Sequence, residues 1–438
     1  MLTPGKWPEK TVEKLITASS LVVFTFLDIL DIFLCFFYRK IDAFLEGNTT
    51  PCYCNRRGQN GKGGEEQPSE TLYERKNIFR ELGFFGNGNT TKRETCIEKC
   101  SLKKVKRRWS DCSCESCVSW QQQTGEYKLH VVVKEPSKAV ANQDAKGKEV
   151  ENVIFLHGFG ASSSFWVESV FPNLSESGNQ NYRIFAVDLL GFGKSPKPWD
   201  CLYTLKDHME MVEQSVIDKY SLNSFHLVAH SMGCIIASAL ASKYLKAVTS
   251  ITLVSPPYFR SPKVEASLTA LNTVADRRLW PPLLFGSSVM SWYEHVGRSI
   301  CFIVCRNHQR WEWILKLFSR RRDLHFMIVD FTRHTHHSAW HTMHNVICGG
   351  AKLMDEYLEA IKRSRVVVKV IQGDKDQVTP LECSRNLKLK IPLAEVQIIS
   401  NADHSSVIFG REQHFTRDLE HLWLSASKEE SLQEVVLL

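Results

Sequence analysis

Several things are missing from this chain, and each absence narrows what it can be. It lacks a strong charge of one sign: 55 Lys and Arg against 48 Asp and Glu leave a formal net charge of +7, with basic patches such as residues 103–108 and 320–322. That is too little for a phosphate-backbone footprint. Nucleic acid is therefore not an expected partner, and the patches read as solvated faces or as contacts to an anionic membrane or wall surface. The chain also lacks an unbroken apolar run near its start. Residues 15–38 are almost continuously apolar but contain Asp28 and Asp31, and a carboxylate near a bilayer centre costs roughly 2.5–3.5 kcal/mol. The shorter run 15–27, behind Lys6, Lys10 and Lys14, has the length and flank of a signal-peptide apolar segment, although no A-x-A cleavage motif follows. Secretory targeting is the expectation, with residues 1–45 either removed or kept as a membrane anchor.

No phosphate loop or dinucleotide fingerprint is present. DLLGFGKS, starting at Asp188, is Gly-rich and follows a strand, but its spacing fits neither motif and it reads as structural. Nor does any common zinc-finger spacing occur, although there are 14 cysteines. Seven of them (Cys52, Cys54, Cys96, Cys100, Cys112, Cys114 and Cys117) precede the first core strand. In an oxidising compartment these predict disulfides that staple a polar, basic segment over residues 46–120, with thiolate zinc ligation as the rival. Sequons at Asn48, Asn89 and Asn173 are compatible with the secretory route. His334, His336, His337, His341 and His344 stand without a carboxylate ligand among them and read as polar positions facing a pocket. No metal site is expected.

What is there is an alternation of strands and helices. With 438 residues, 43% of them hydrophobic, the chain can build one large core with an insertion, or two domains. An amphipathic helix candidate covers residues 72–82. Strands are predicted at 128–134, 152–156, 182–187, 225–229, 250–254, 366–371 and 396–399, each a short apolar run without alternation. Thr204 and Asp207 open a helix as a capping box, another helix covers 232–244, and a last one starts near Glu412. The pattern is α/β, a mainly parallel sheet covered on both faces, built from residues 121–255 and 366–438. Between them residues 256–365 break the rhythm and read as a helical cap. Five of the eleven tryptophans lie there: Trp280, Trp292, Trp311, Trp313 and Trp340. They predict a small second core, an apolar pocket over the carboxyl edge of the sheet, or both.

A serine attacks a carbonyl well only when a base takes its proton and donors receive the oxyanion. FHLVAHSMGC runs a strand into Ser231 and then a helix, the arrangement of a nucleophile elbow, with Gly233 retained and Ala229 where glycine is usual. NADHSS places His404 after the last strand as base. GDKDQVTP offers Asp374 and Asp376 to orient it; Asp376 sits deeper in the loop, while Asp374 reads as a turn residue. HGFGAS follows an early strand, and Gly158 and Gly160 let its backbone turn toward a reacting oxygen, so that the amides of Phe159 and Met232 form the oxyanion hole. The order Ser, Asp, His is that of the α/β-hydrolases.

Taken together, HGFGAS, DLLGFGKS, AHSMG, GDKDQVTP and NADHSS resemble the α/β-hydrolase superfamily over about residues 121–424. SDCSCESC, SVMSWYEH and RHTHHSAWHTMHNVICGG are similar to one plant branch, the bodyguard-type proteins, described as probable lysophospholipases of the epidermal wall with a part in cuticle formation. That resemblance implies the α/β-hydrolase fold with an eight-stranded, mostly parallel sheet and an inserted cap. It also implies a triad of Ser231, Asp376 and His404, with Ala229 as a variant of the elbow. The expected function is an extracellular serine hydrolase of lipid acyl esters, secreted to the wall or the outer face of the plasma membrane, without a cofactor. Acyl transfer by the same triad and lipid binding without turnover are the alternatives.

Overall fold

The computed structural model describes residues 9–47, 67–73, 108–121, 128–137 and 150–437. Cys52, Cys54, Cys96 and Cys100, the sequons at Asn48 and Asn89, and residues 74–82 of the amphipathic candidate lie outside them.

FHLVAH buries all six of its side chains, as a strand must when helices cover both faces of its sheet. It is the fourth of seven strands: β1 (Val131–Lys134), β2 (Glu151–Leu156), β3 (Tyr182–Val187), β4 (Phe225–His230), β5 (Val248–Val254), β6 (Val367–Gly373) and β7 (Glu395–Ile399). Their order in space is β1-β3-β2-β4-β5-β6-β7. β1 pairs antiparallel with β3, and all other pairs are parallel. All seven strands read from the sequence are present. The eighth expected of the fold is not among the described residues.

Alternation along each strand divides the interior in two. Leu227, Ala229, Leu253 and Val370 join the larger core on one face, and Val228, Val254 and Ile371 join Trp166, Phe415 and Trp423 on the other. Because β2 and β4 to β7 run in parallel, the loops after them open at one edge.

The helices that matter for the site are α1 (Glu9–Glu46), α2 (Glu115–Gln121), α3 (Ser164–Ser169), α4 (Leu205–Val212) and α5 (Met232–Lys243). After β5 come α6 (Ala266–Val274), α7 (Pro282–Trp292), α8 (Glu294–Ile303), α9 (His308–Ser319), α10 (Phe326–Phe331), α11 (His336–Thr342) and α12 (Met354–Lys362), followed by α13 (Leu381–Lys390) and α14 (Glu412–Leu437). The Thr204–Asp207 capping box forms as its sequence predicts. The segment between β5 and β6 is helical, but α12 packs on α5 and so covers the sheet with the core helices. Of the five tryptophans in this segment, Trp280 and Trp313 are 67% and 66% exposed and Trp311 is partly exposed, whereas Trp340 is buried beside Cys35, Leu72 and Tyr73. A lining of tryptophans around one apolar pocket is therefore not what they form.

α1 is long and apolar enough to cross a membrane by length and composition, and it also carries a buried stripe. Phe24, Asp31, Cys35, Tyr38 and Asp42 are buried, and with Asp28 they recur every three or four residues, one face of a helix. That face packs on α8. Asp31 Oδ1 accepts the N–H groups of His295 (2.8 Å) and Val296 (3.1 Å), two of the donors left free at the start of α8. Tyr38 Oη lies 2.9 Å from Ser299 Oγ. Asp42 accepts both guanidinium arms of Arg298 at 2.7 Å. The opposite face exposes Leu21, Val22, Phe26, Phe33, Phe36, Phe37 and Phe44. The carboxylates that speak against a transmembrane helix in the sequence are thus docking groups, and their partners lie some 250 residues away.

Candidate active site

The turn from β4 into α5 is tight because α5 starts against the end of β2. A methyl at Gly233 would stand 2.7 Å from the carbonyl oxygens of both Leu156 and His157, too close for any side chain. Ser231 takes up the strain with φ 52° and ψ −122°, a conformation costing a non-glycine residue about 1–3 kcal/mol. Its N–H donates to Val254 O at 2.8 Å. This is an elbow in backbone geometry, and Ala229 fits it as a fully buried strand residue.

The loops after β6 and β7 bring Asp376 and His404 together. His404 Nδ1–H donates to Asp376 Oδ2 at 2.8 Å. Oδ2 also accepts from Thr379 Oγ1 (2.8 Å) and Gln372 Nε2 (3.0 Å), while Oδ1 accepts the N–H groups of Val378 and Thr379, each at 2.9 Å. Burial works to raise the pKa of this carboxyl, but the hydrogen bond and charge of His404, with the Thr379 donors, bring it down to about 2. Asp374 is exposed and its N–H bonds Ile399 O at 3.1 Å, as a turn residue's does, whereas Asp376 is the carboxylate that touches His404.

HGFG wraps the end of β4. A methyl at Gly158 would lie 2.9 Å from His230 Nδ1 and 3.2 Å from Ser231 Cβ, which puts the backbone entering Phe159 alongside the serine. Gly160 has φ +70°, and a methyl there would meet the Phe331 ring at 3.1 Å. Two histidines that the sequence reading passed over hold this arrangement. His157 Nδ1–H donates to Gly158 O (2.7 Å), and its Nε2 accepts from the Leu189 N–H (2.9 Å). His230 Nε2–H donates to His404 O at 2.9 Å, and burial pushes the His230 pKa down to about 3, so the ring is neutral. Their signal in the sequence is a polar ring closing an apolar strand. Asp188 of DLLGFGKS accepts the N–H groups of Ser163 (2.6 Å) and Lys194 (2.7 Å), the structural part expected of it. From the inserted helices, Asp330 accepts Ser162 Oγ–H at 2.6 Å, so α10 is tied to the same loop. Burial, the largest influence, pushes the Asp330 carboxyl up to about 6.

Among the described residues two groups of side chains converge as metal donors: Cys112, Cys114, Cys117 and His308, and Cys301, Cys305 and His334. Neither includes a residue of the strand-end loops. Of the five histidines near the end of the insertion only His334 joins such a group. His336, His337, His341 and His344 are buried, with His337 Nε2 donating to Cys201 O at 2.8 Å and His344 Nδ1 lying 3.1 Å from Thr71 Oγ1. They are interior positions, not a pocket lining.

A parallel sheet with an elbow serine after β4, an acid after β6 and a histidine after β7 defines the α/β-hydrolase fold, whose family model matches residues 151–282. Within that fold, probable lysophospholipase BODYGUARD 4 of Arabidopsis thaliana is 49% identical, over 96% of this chain and 99% of that protein. BODYGUARD 5 of the same plant is 46% identical over 98% and 99%, and BODYGUARD 1 is 38% identical over 92% and 94%. The chain belongs to the bodyguard family of α/β-hydrolase-fold proteins.

Proposed function

We propose that this protein is a serine hydrolase of lipid acyl esters, of the lysophospholipase kind for which its relatives are named. The observation that carries the reading is the 2.8 Å bond from His404 to a deeply held Asp376 carboxylate, at the same sheet edge as a serine held at positive φ. Ser231 Oγ attacks the acyl carbonyl while His404 Nε2 takes its proton. The Asp376 carboxylate fixes the imidazole tautomer through Nδ1 and stabilises the imidazolium. The amides of Phe159 and Met232 receive the oxyanion, and each such donor is worth about 2.7–4 kcal/mol in related chemistry. His404 returns the proton to the departing alcohol, and water, activated the same way, releases the fatty acid. Gly158 supports this assignment, because a side chain there would meet His230 and Ser231 Cβ, so the backbone leading into Phe159 passes beside the serine.

The apolar outer face of α1, with Leu21, Phe33 and Phe44 more than two-thirds exposed, supports retention of this helix and its apposition to a lipid surface. We place the protein in the secretory route, at the outer face of the plasma membrane or the adjoining wall, where cuticle lipids are laid down. The test is fluorophosphonate labelling of full-length protein, with release of fatty acid from lysophosphatidylcholine micelles. Labelling and turnover in wild type, both lost in Ser231→Ala and His404→Ala, are expected. A folded wild type that labels with nothing and turns nothing over overturns the reading. Adding a hydroxy fatty acid as acceptor distinguishes hydrolysis from acyl transfer by the product formed.

A further inference from the structure

SDCSCESC folds into a turn and the start of α2 that present Cys112, Cys114 and Cys117 on one side. All three are thiols, where the sequence predicts disulfides. Against them stands His308 at the first position of α9, almost 200 residues away, buried to 2% exposure. Its Nε2 lies 3.4 Å from Cys114 Sγ and 3.5 Å from Cys117 Sγ, and the four donor atoms all lie within 4.8 Å of one another. A tetrahedral zinc with bonds of about 2.3 Å to sulfur and about 2.0–2.1 Å to nitrogen sets sulfur–nitrogen edges of about 3.6 Å. The two observed sulfur–nitrogen edges are close to that value.

The other ring nitrogen gives an independent reason. His308 Nδ1 is 3.0 Å from Glu312 Oε1, one turn along α9. Donation of Nδ1–H to that carboxylate leaves Nε2 as a bare lone pair directed at the thiols, the carboxylate–histidine arrangement that accompanies metal ligation. Three sulfurs and an imidazole nitrogen converging this closely make the Cys3His donor set of a thiolate-bound divalent cation.

We propose that Cys112, Cys114, Cys117 and His308 bind a structural zinc ion that fastens the segment before the core to the inserted helices. Arg108 and Trp109 of that segment each reach Asp42 of α1 at 2.7 Å, so the metal joins three elements: α1, the Cys-rich turn and α9. The shell is closed by four protein ligands, as in structural rather than catalytic zinc sites. Cys301, Cys305 and His334 offer only three donors; they carry no assignment here and serve as a control.

The experiment is elemental analysis of full-length protein purified without chelators. One zinc per chain is expected in wild type and in Cys301→Ser/Cys305→Ser, and none in Cys114→Ser/Cys117→Ser. Glu312→Gln, which leaves every ligand in place, is expected to weaken zinc retention against a chelator by about 10–100-fold. Should the cysteine variant fail to fold, cobalt loaded into the wild type answers instead, through thiolate-to-cobalt charge-transfer absorption. Wild-type protein whose Cys112, Cys114 or Cys117 is recovered in a disulfide peptide overturns the proposal. So does zinc that survives Cys114→Ser/Cys117→Ser.

Discussion

Replacing Asp42 by Asn separates a helix that is part of the fold from one merely attached to it. Asp42 is 3% exposed and accepts four hydrogen bonds of 2.7 Å, two from Arg298 and one each from Arg108 and Trp109. Arg298 is 5% exposed and stacks over the Tyr38 ring at 4.4 Å, so little solvent can replace the lost charge. Asparagine keeps one acceptor but turns an NH2 group toward a guanidinium. Breaking a buried pair from one side costs about 3–5 kcal/mol, while replacing both partners by apolar groups of similar size is often neutral. With a urea slope of about 3 kcal/mol/M the unfolding midpoint falls by roughly 1–1.7 M. The assay is urea unfolding followed by tryptophan fluorescence, with limited proteolysis of α1 in parallel. Asp42→Leu with Arg298→Met removes that pair from both sides but still strands Arg108 and Trp109, so it is expected to recover only part of the loss. An unchanged midpoint and an unchanged cleavage rate in Asp42→Asn would refute the docking argument. Acidity acts from both sides. Burial opposes the charge on Asp42, but Arg298 and Arg108 outweigh it and hold its pKa below the usual 3.8. Its contribution is therefore complete above that value and fades as pH falls through the lowered one. Burial likewise opposes the charge on His295, but Asp31 outweighs it and raises its pKa to about 10. That contribution is complete below 6.5 and is lost as pH rises through about 10, so docking is tightest between about pH 4 and 6.5.

Other outcomes follow from the strand-end loops. Asp376→Asn is expected to lower kcat by about 10⁴ with little change in KM, since the imidazole loses its tautomer and its counter-charge; steady-state hydrolysis of a short-chain ester reads this. Gly158→Ala pushes a methyl into His230 and Ser231, and a loss of activity near 10²-fold is expected from a displacement of under 1 Å, with fluorophosphonate labelling slowed in step. Gly233→Ala meets two carbonyl oxygens that cannot yield and should destabilise by about 1–3 kcal/mol, seen as a lower unfolding midpoint. Asp330→Asn keeps an acceptor for Ser162 and removes a buried acid whose charge is costly above about pH 6. Its melting temperature should exceed wild type at pH 7.5, with the gain shrinking as pH falls below about 6 and gone only below about 3.8.

The central strands were legible because each is a short, mostly apolar run buried on both faces, as β4 and β5 are, while β1 and β7 at the sheet's edges are only partly buried. The strand-end positions of Ser231, Asp376 and His404 were legible because each ends or follows such a run in chain order. Local pattern does not carry pairings across the chain. Cys112, Cys114 and Cys117 look like disulfide material until His308 is placed beside them, and Asp31 and Asp42 look like flaws in an apolar segment until His295 and Arg298 are. The tryptophans mislead for a different reason: an aromatic side chain has the same composition whether it lines a pocket or, like Trp280 and Trp313, faces outward. His157 and His230 were hidden among strand-end residues whose partners are backbone atoms, which no pattern of side chains reveals.

The separation between α1 and its partners also has a meaning in time. Asp31 and His295 are 264 residues apart, and Asp42 and Arg298 are 256 apart. At a synthesis rate of about 5–20 residues per second, α1 exists for about 13–50 s before the helix that receives it has been made. Through that interval its phenylalanines and its carboxylates are equally without partners, and whatever meets it first at the ribosome meets an apolar leader. The finished fold then turns that helix half inward, so the segment made first becomes a wall that is completed only when the inserted helices arrive.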